Sequence, residues 1–119
     1  MLAEGSIILV DFLQSDGAVK KRPAVIIRRL PPFDDLLLSG ISTQLHQAIA
    51  GFDIVLRRDH PDFRASGLRA SSVVRLSMLA SFASNDKRIN GLLGRLSAAD
   101  LRLAQQRLAK LILEGAAGT

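Results

Sequence analysis

A cationic turn leads directly into a buried strand in Lys20-Lys21-Arg22-Pro23-Ala24-Val25-Ile26-Ile27. Further along the chain, Ile41-Ser42-Thr43-Gln44 ends a second apolar strand in two adjacent hydroxyl side chains. If the two strands lie side by side, a guanidinium and a hydroxyl meet at one edge of a sheet. Such a pair suits a phosphodiester, because the guanidinium balances its charge and the hydroxyl orients it by a hydrogen bond.

Three more segments have the β-branched and apolar character of strands, which are residues 7–12, 52–56 and 72–76. The strand that follows Arg22 is expected at residues 24–28, and Pro31-Pro32 should end it, since proline cannot donate to a ladder. The strand that leads to Ser42 is expected at residues 36–41, and Ser39-Gly40 within it is expected to be a weak spot or a bulge. Short apolar pieces around Met78-Leu79 and Leu92-Leu93 could close the sheet. The spacing predicts a small, strongly bent antiparallel sheet or barrel.

The C-terminal part has a different pattern, which is typical of a helix. Ser97-Ala98-Ala99-Asp100 combines a capping hydroxyl with an acid in the first turn, and Gly115 is a stop signal. Apolar residues recur between them at helical spacing, namely Leu101, Ala104, Leu108, Leu111 and Ile112. The stripe predicts a helix packed on the sheet, with a partner-binding helix as the less favoured alternative, so the expected class is mainly β with α (α+β).

Composition narrows the functional classes. The 119 residues, 48% of them hydrophobic, are expected to form a single domain over 1–119. The chain has no cysteine and only two histidines, so we expect neither a metal centre nor a cofactor. A net charge of +5 carried mostly by arginine favours a nucleic acid or an acidic protein as partner, although solubility alone could explain it. No signal peptide or membrane span is evident, and the expected compartment is the cytoplasm.

Several segments together resemble the MazF/PemK (Kid-like) toxin family of type II toxin–antitoxin systems, in the same order and over most of the length. They are Gly5-Ser6-Ile7-Ile8-Leu9-Val10-Asp11-Phe12, Lys21-Arg22-Pro23-Ala24-Val25-Ile26-Ile27, Ile41-Ser42-Thr43-Gln44, Gly67-Leu68, Ser72-Val73-Val74 and Leu93-Gly94-Arg95-Leu96-Ser97. The Arg-Pro strand is the family's most recognisable motif. Each segment is weak alone, and their order and spacing make the resemblance specific.

The resemblance implies a compact SH3-like barrel that forms a homodimer. It also implies metal-independent, sequence-specific cleavage of single-stranded RNA to 2′,3′-cyclic phosphate and 5′-hydroxyl ends. An antitoxin protein would wrap the dimer and block the substrate groove. The alternative is a member of the same fold without nuclease activity, which binds DNA gyrase or acts only as a binding module. The gyrase branch depends on a C-terminal tryptophan, and this chain has none, so the nuclease is favoured.

The resemblance also assigns candidate catalytic residues. Arg22 matches the family's catalytic arginine, and its guanidinium can bind two non-bridging phosphate oxygens. Ser42 matches the catalytic threonine when Gln44 is aligned on the motif glutamine, so a serine stands where threonine is usual. Thr43 should point to the opposite face of a regular strand, but a slip of one residue would exchange the two hydroxyls. Both hydroxyl residues therefore remain candidates.

The RNA-binding candidates are Lys20, Lys21 and Gln44. Further cations at Arg57, Arg58, Arg64 and Arg69 could also supply charge to the groove, but runs of charge on a surface are more often plain solvation, so only the two lysines are retained. Phe33 or Phe63 could stack on bases. The general base stays open. Asp16 fits a turn better than catalysis, and His46 and His60 could act as acid and base although no family motif requires them.

Overall fold

The computed structural model describes residues 2–115. Within them the chain forms six strands and one α-helix, with short 3₁₀ turns at Leu45–Gln47 and Arg64–Ser66. The elements are β1 (Ser6–Leu13), β2 (Val19–Leu30), β3 (Asp35–Ser42), β4 (Ile54–Leu56), β5 (Ser72–Phe82), β6 (Ile89–Arg95) and α1 (Ala98–Glu114).

The six strands form one antiparallel sheet in the order β4-β5-β3-β2-β1-β6. The sheet is strongly curled into a half-barrel, and α1 covers it, so the predicted α+β class with a bent sheet and a C-terminal helix is confirmed. The described residues include no helix that is both long and apolar enough to cross a membrane.

Both faces of the sheet are buried along the middle of β2, which explains the unbroken apolar run of that strand. Along β1, Ile7 and Ile8 belong to different clusters, because successive side chains point to opposite faces of a strand. The cluster of Ile7 receives Ala104 and Leu108 of α1. The cluster of Ile8 is closed by side chains of β2, β3 and β5, including Phe82.

Two strands are longer than predicted because they gain pairing partners. β2 begins at Val19 instead of residue 24, since Lys20 pairs with Phe12 of β1 in the ladder. β5 continues to Phe82 instead of ending at residue 76, since Phe82 pairs with Leu36 of β3. In both cases pairing with a neighbouring strand overrides the polar or small side chains that weaken the local strand signal.

The fourth strand is shorter than predicted. β4 begins at Ile54, because the backbone N–H groups of Phe52 and Asp53 both donate to the carbonyl of Ile49 at 3.1 and 2.9 Å. These two residues therefore belong to a turn and not to the ladder.

The predicted irregularity at Ser39-Gly40 is confirmed. The register between β3 and β5 shifts between Ser39 and Ile41, and Ser39 Oγ donates to the carbonyl oxygen of Arg75 at 2.6 Å. β2 ends at Leu30, directly before Pro31-Pro32, as the sequence predicts.

The helix ends are those that the sequence predicts. Ser97 Oγ accepts a hydrogen bond from the backbone N–H of Asp100 at 3.1 Å, and Gly115 closes the helix with a φ of 58°. The apolar stripe is only partly buried, however. Leu111 and Ile112 are 44% and 70% exposed, so the prediction that they pack on the sheet is wrong, because the last turn of α1 extends past the core.

A buried carboxylate and two backbone oxygens connect the turn before β4 to β5 and to the helix. Asp53 is 5% exposed and accepts hydrogen bonds from the backbone N–H groups of Ile49 at 2.9 Å and Leu76 at 3.0 Å. Arg107 of α1 donates to the backbone oxygens of Phe52 and Asp53 at 3.1 and 2.8 Å. The turn before β4 is thereby fixed to both β5 and the helix.

We expect Asp53→Asn to lower the free energy of unfolding by about 1–3 kcal/mol, because the amide offers one acceptor where the carboxylate offers two. In the variant, the backbone N–H of either Ile49 or Leu76 then faces the amino group of the asparagine, which is also a donor. Urea denaturation followed by circular dichroism measures the change, with the exposed Asp59→Asn as the control. Equal midpoints for the two variants would contradict this account of Asp53.

Candidate functional site

A polar cleft opens where β2 begins and β3 ends. The ladder between these strands stops at the pair Ala24 and Gly40, and Ser42 pairs instead with Val73 of β5. Arg22 and Ser42 each lie two residues beyond that last pair, and both line the cleft. The cleft has a volume of about 330 Å³ and is lined by Lys20, Arg22, Ser42, Thr43, Gln44, Gln47, Arg75 and Met78.

Arg22 is half-buried and held by β1 and the turn that follows it. Its backbone pairs with Val10, and its Nη2 lies 3.4 Å from Gln14 Oε1. The turn itself is formed as predicted, with Asp16 Oδ1 accepting from the backbone N–H of Ala18 at 2.9 Å. The long contact with Gln14 leaves most of the guanidinium's donors available to a ligand.

The two candidate hydroxyls both line the cleft. Ser42 is 7% exposed, and its Oγ accepts a hydrogen bond from the backbone N–H of Gln44 at 3.1 Å. The serine oxygen is thus held in place while its own proton remains available for donation. Thr43 is exposed, and it shares the cleft because β3 ends at Ser42 and the alternation of faces stops there.

Two of the three RNA-binding candidates, Lys20 and Gln44, line the cleft, whereas Lys21 lies outside it. The two neighbouring lysines are separated because successive side chains of β2 point to opposite faces of the strand. Lys21 Nζ donates to Asp11 Oδ1 at 3.1 Å and to Asn90 Oδ1 at 3.0 Å. The hydrogen bond from Lys21, followed by one from Asn90, lowers the pKa of Asp11 below its usual value. The structure therefore places Lys21 in an ion pair and away from the hydroxyls.

The remaining candidates are not brought to the cleft. His46 and His60 are exposed and do not line it, and His60 Nδ1 accepts from the backbone N–H of Asp62 at 3.1 Å. Phe63 lies in the core, so the suggestion that it stacks on bases is wrong. Phe33 is 82% exposed but lies in the turn after β2, at the opposite end of that strand from Arg22.

The pair formed by Arg75 and Gln47 is not among the residues predicted from the sequence. Arg75 lies on β5, and its Nη1 donates to Gln47 Oε1 at 2.9 Å. Its Nε is buried and has no hydrogen-bond partner among residues 2–115. The signal was present, because Arg75 is the single charge within the apolar strand Ser72-Val73-Val74-Arg75-Leu76. A charge at such a position needs a partner or a ligand.

The lining of the cleft fits an anion. Three of its side chains, Lys20, Arg22 and Arg75, are cationic, and none of the lining residues is a carboxylate or an imidazole. Within residues 2–115, no three histidine, aspartate or glutamate side chains are grouped as a metal site. Two guanidiniums beside a hydroxyl are groups that bind phosphate oxygens bidentately and orient them.

The family model described as the PemK-like, MazF-like toxin of type II toxin–antitoxin systems matches residues 3–112. The chain therefore belongs to this family, as its motifs predict. A search of curated protein sequences gives no significant match.

Solved structures of MazF toxins share the fold at low sequence identity. The Mycobacterium tuberculosis toxin MazF-mt6 is 17% identical with a TM-score of 0.62, and the alignment covers 90% of this chain and 95% of that one. MazE-MazF (Form-II) from Deinococcus radiodurans is 16% identical with a TM-score of 0.61, covering 94% and 96%. Form-III of the same pair is 17% identical with a TM-score of 0.62, covering 94% and 95%.

Proposed function

We propose that this protein is the toxin of a type II toxin–antitoxin system and a metal-independent endoribonuclease that cuts single-stranded RNA at specific sequences in the cytoplasm. The observation that carries the proposal is the cleft in which Arg22, Ser42 and Arg75 meet without a carboxylate. Membership of the MazF/PemK-like family supports it independently of the geometry.

The proposed reaction is an internal transfer at phosphorus. The ribose 2′-hydroxyl loses its proton to solvent water, and its oxygen forms a bond to the adjacent phosphorus. The bond from phosphorus to the 5′-oxygen breaks, and that oxygen takes a proton from solvent water. The products are a 2′,3′-cyclic phosphate and a 5′-hydroxyl. Negative charge grows on the non-bridging oxygens during attack. Arg22 binds these oxygens with its forked donors, and Ser42 donates its hydroxyl proton in a further hydrogen bond.

The contribution of the cleft is charge stabilisation and orientation rather than proton transfer. A guanidinium does not release its proton at neutral pH, and no histidine or carboxylate lines the cleft among the residues described. Lys20 and Arg75 hold the flanking phosphates, and Thr43 and Gln44 offer further hydrogen bonds at the mouth. Each such phosphate contact should steepen the salt dependence of RNA binding by about 0.7 in log–log slope.

We further propose an antitoxin partner and a homodimer. The support for the partner is the family itself and the titles of the Deinococcus radiodurans structures, which pair MazE with MazF. The last turn of α1 exposes Leu111, Ile112 and Leu113, an apolar surface that association would cover. Light scattering should give a mass about twice the 12.8 kDa of one chain.

The test of the proposed activity is incubation of the purified protein with a mixed-sequence RNA in excess EDTA, followed by mass spectrometry of the ends. We expect fragments with 2′,3′-cyclic phosphate and 5′-hydroxyl ends. RNA that stays intact while the protein inhibits supercoiling by DNA gyrase would instead establish the alternative function of this fold.

A further inference from the structure

The amide of Gln47 has only one possible orientation. A guanidinium has donors and no acceptor, so the bond of 2.9 Å between Arg75 Nη1 and Gln47 requires the amide oxygen to face the arginine. The Nε2 amino group then points away from Arg75. Because Gln47 also lines the cleft, that amino group is presented to a ligand as a donor.

The other side chains of the cleft reinforce this donor character. Lys20, Arg22 and Arg75 can only donate, and the oxygen of Ser42 already accepts from the backbone N–H of Gln44. Thr43 and Gln44 also line the cleft, and their side chains can both donate and accept. A ligand that bonds to the donors of the cleft must supply acceptors.

We infer that Gln47, held by Arg75, selects RNA bases that carry a carbonyl group over bases that carry an amino group. Uracil and guanine present a carbonyl oxygen at C4 and C6, whereas cytosine and adenine present an amino group at the same positions. The amino group of Gln47 donates to the carbonyl oxygen of uracil or guanine. In cytosine or adenine it faces an amino group, which is a second donor. This inference rests on the proposed function, whose substrate it specifies.

The expected discrimination is modest at a single base but measurable. A base with a carbonyl gains one hydrogen bond to Gln47, whereas a base with an amino group leaves two donors facing each other. This difference corresponds to about a 5–10-fold difference in affinity. The phosphate contacts are the same for every base and do not contribute to this ratio.

The experiment compares two decamers that differ only in the base, one of 2′-deoxyuridine and one of 2′-deoxycytidine. Neither can be cut, since the attacking 2′-hydroxyl is absent, so fluorescence anisotropy measures binding alone. We expect the uracil decamer to bind about 5–10-fold more tightly. Equal affinities, a preference for cytosine, or no binding of either decamer would overturn the inference.

Two variants of Gln47 connect the preference to this side chain. Gln47→Met keeps the length and removes the donor, and the ratio of affinities should fall to within about twofold. Gln47→Glu keeps a partner for Arg75 but presents an acceptor, so the preference should shift towards cytosine. Gln106→Met, on the exposed face of α1, is the control and should leave the ratio unchanged. A ratio unaffected by Gln47→Met would overturn the assignment to this residue.

A separate arm incubates the protein with the mixed-sequence RNA in excess EDTA and measures cleavage. Selective binding of the deoxyuridine decamer while the mixed-sequence RNA stays intact would refute the nuclease and leave the base selection in place. Cleavage of the mixed-sequence RNA together with equal binding of the two deoxy decamers would refute the base selection and leave the nuclease in place.

Discussion

Arg22→Ala should lower the rate of RNA cleavage by about a thousandfold. The guanidinium of Arg22 lines the cleft together with Ser42. The second guanidinium of the cleft, that of Arg75, already donates its Nη1 to Gln47 and has a buried Nε, so it cannot offer the same pair of donors. Without Arg22, the charge that grows on the phosphate oxygens is stabilised by fewer donors. Single-turnover cleavage of a labelled RNA in EDTA measures the loss.

Two further variants separate charge from geometry. Arg22→Lys keeps the charge without the fork, so its rate should lie between those of the parent and the alanine variant. Arg102→Ala removes an exposed arginine of α1 outside the cleft and should leave the rate within about twofold, since only weak screened attraction is lost. All three should unfold at the same urea concentration as the parent. A thousandfold loss in Arg102→Ala would show that net charge, and not the cleft, drives the reaction.

Gly67→Ala should prevent stable folding, or lower the free energy of unfolding by about 4 kcal/mol or more. Gly67 has a φ of 72°, and a Cβ built there would lie 2.0 Å from the backbone oxygen of Leu93. Backbone atoms of β6 cannot turn aside as a flexible side chain can. The turn at Arg64–Ser66 would have to separate from β6, to which it is packed. Thermal unfolding by circular dichroism measures the effect.

Gly17→Ala is a matched control for this prediction. Gly17 also has a positive φ, 85°, but a Cβ there meets no atom within 4 Å. The cost is then the conformational one alone, about 1–2 kcal/mol. Similar melting temperatures for the two alanine variants would contradict the close approach of Gly67 to β6.

The meeting of Arg22 and Ser42 could be predicted because it depends on two neighbouring strands and their register. Residues that follow each other along a hairpin fix the register locally, and the family motifs marked the same two positions. The position of Gln44 in the cleft could be predicted in the same way, because it lies only two residues from Ser42 along the chain. The helix caps were predictable for a similar reason, since Ser97 and Gly115 act within one turn of α1.

Arg75 and Gln47 could not be predicted as a pair, because their contact joins residues of distant segments. It depends on the pairing of β5 with β3 and on the turn that follows Ser42. Lys21 was misplaced for a related reason. Its neighbours Asp11 and Asn90 come from β1 and β6, and only the completed sheet brings them together.

The most direct test of a shared role for Arg22 and Ser42 is a double-mutant cycle on single-turnover cleavage. Alone, Ser42→Ala should slow the reaction by about 10–100-fold, the worth of a hydrogen bond to a charged oxygen. In the Arg22→Ala background the same change should cost less than about threefold, because residues that act on one phosphate as a unit are not additive. A full and independent loss in that background would contradict the claim that both side chains hold the same phosphate.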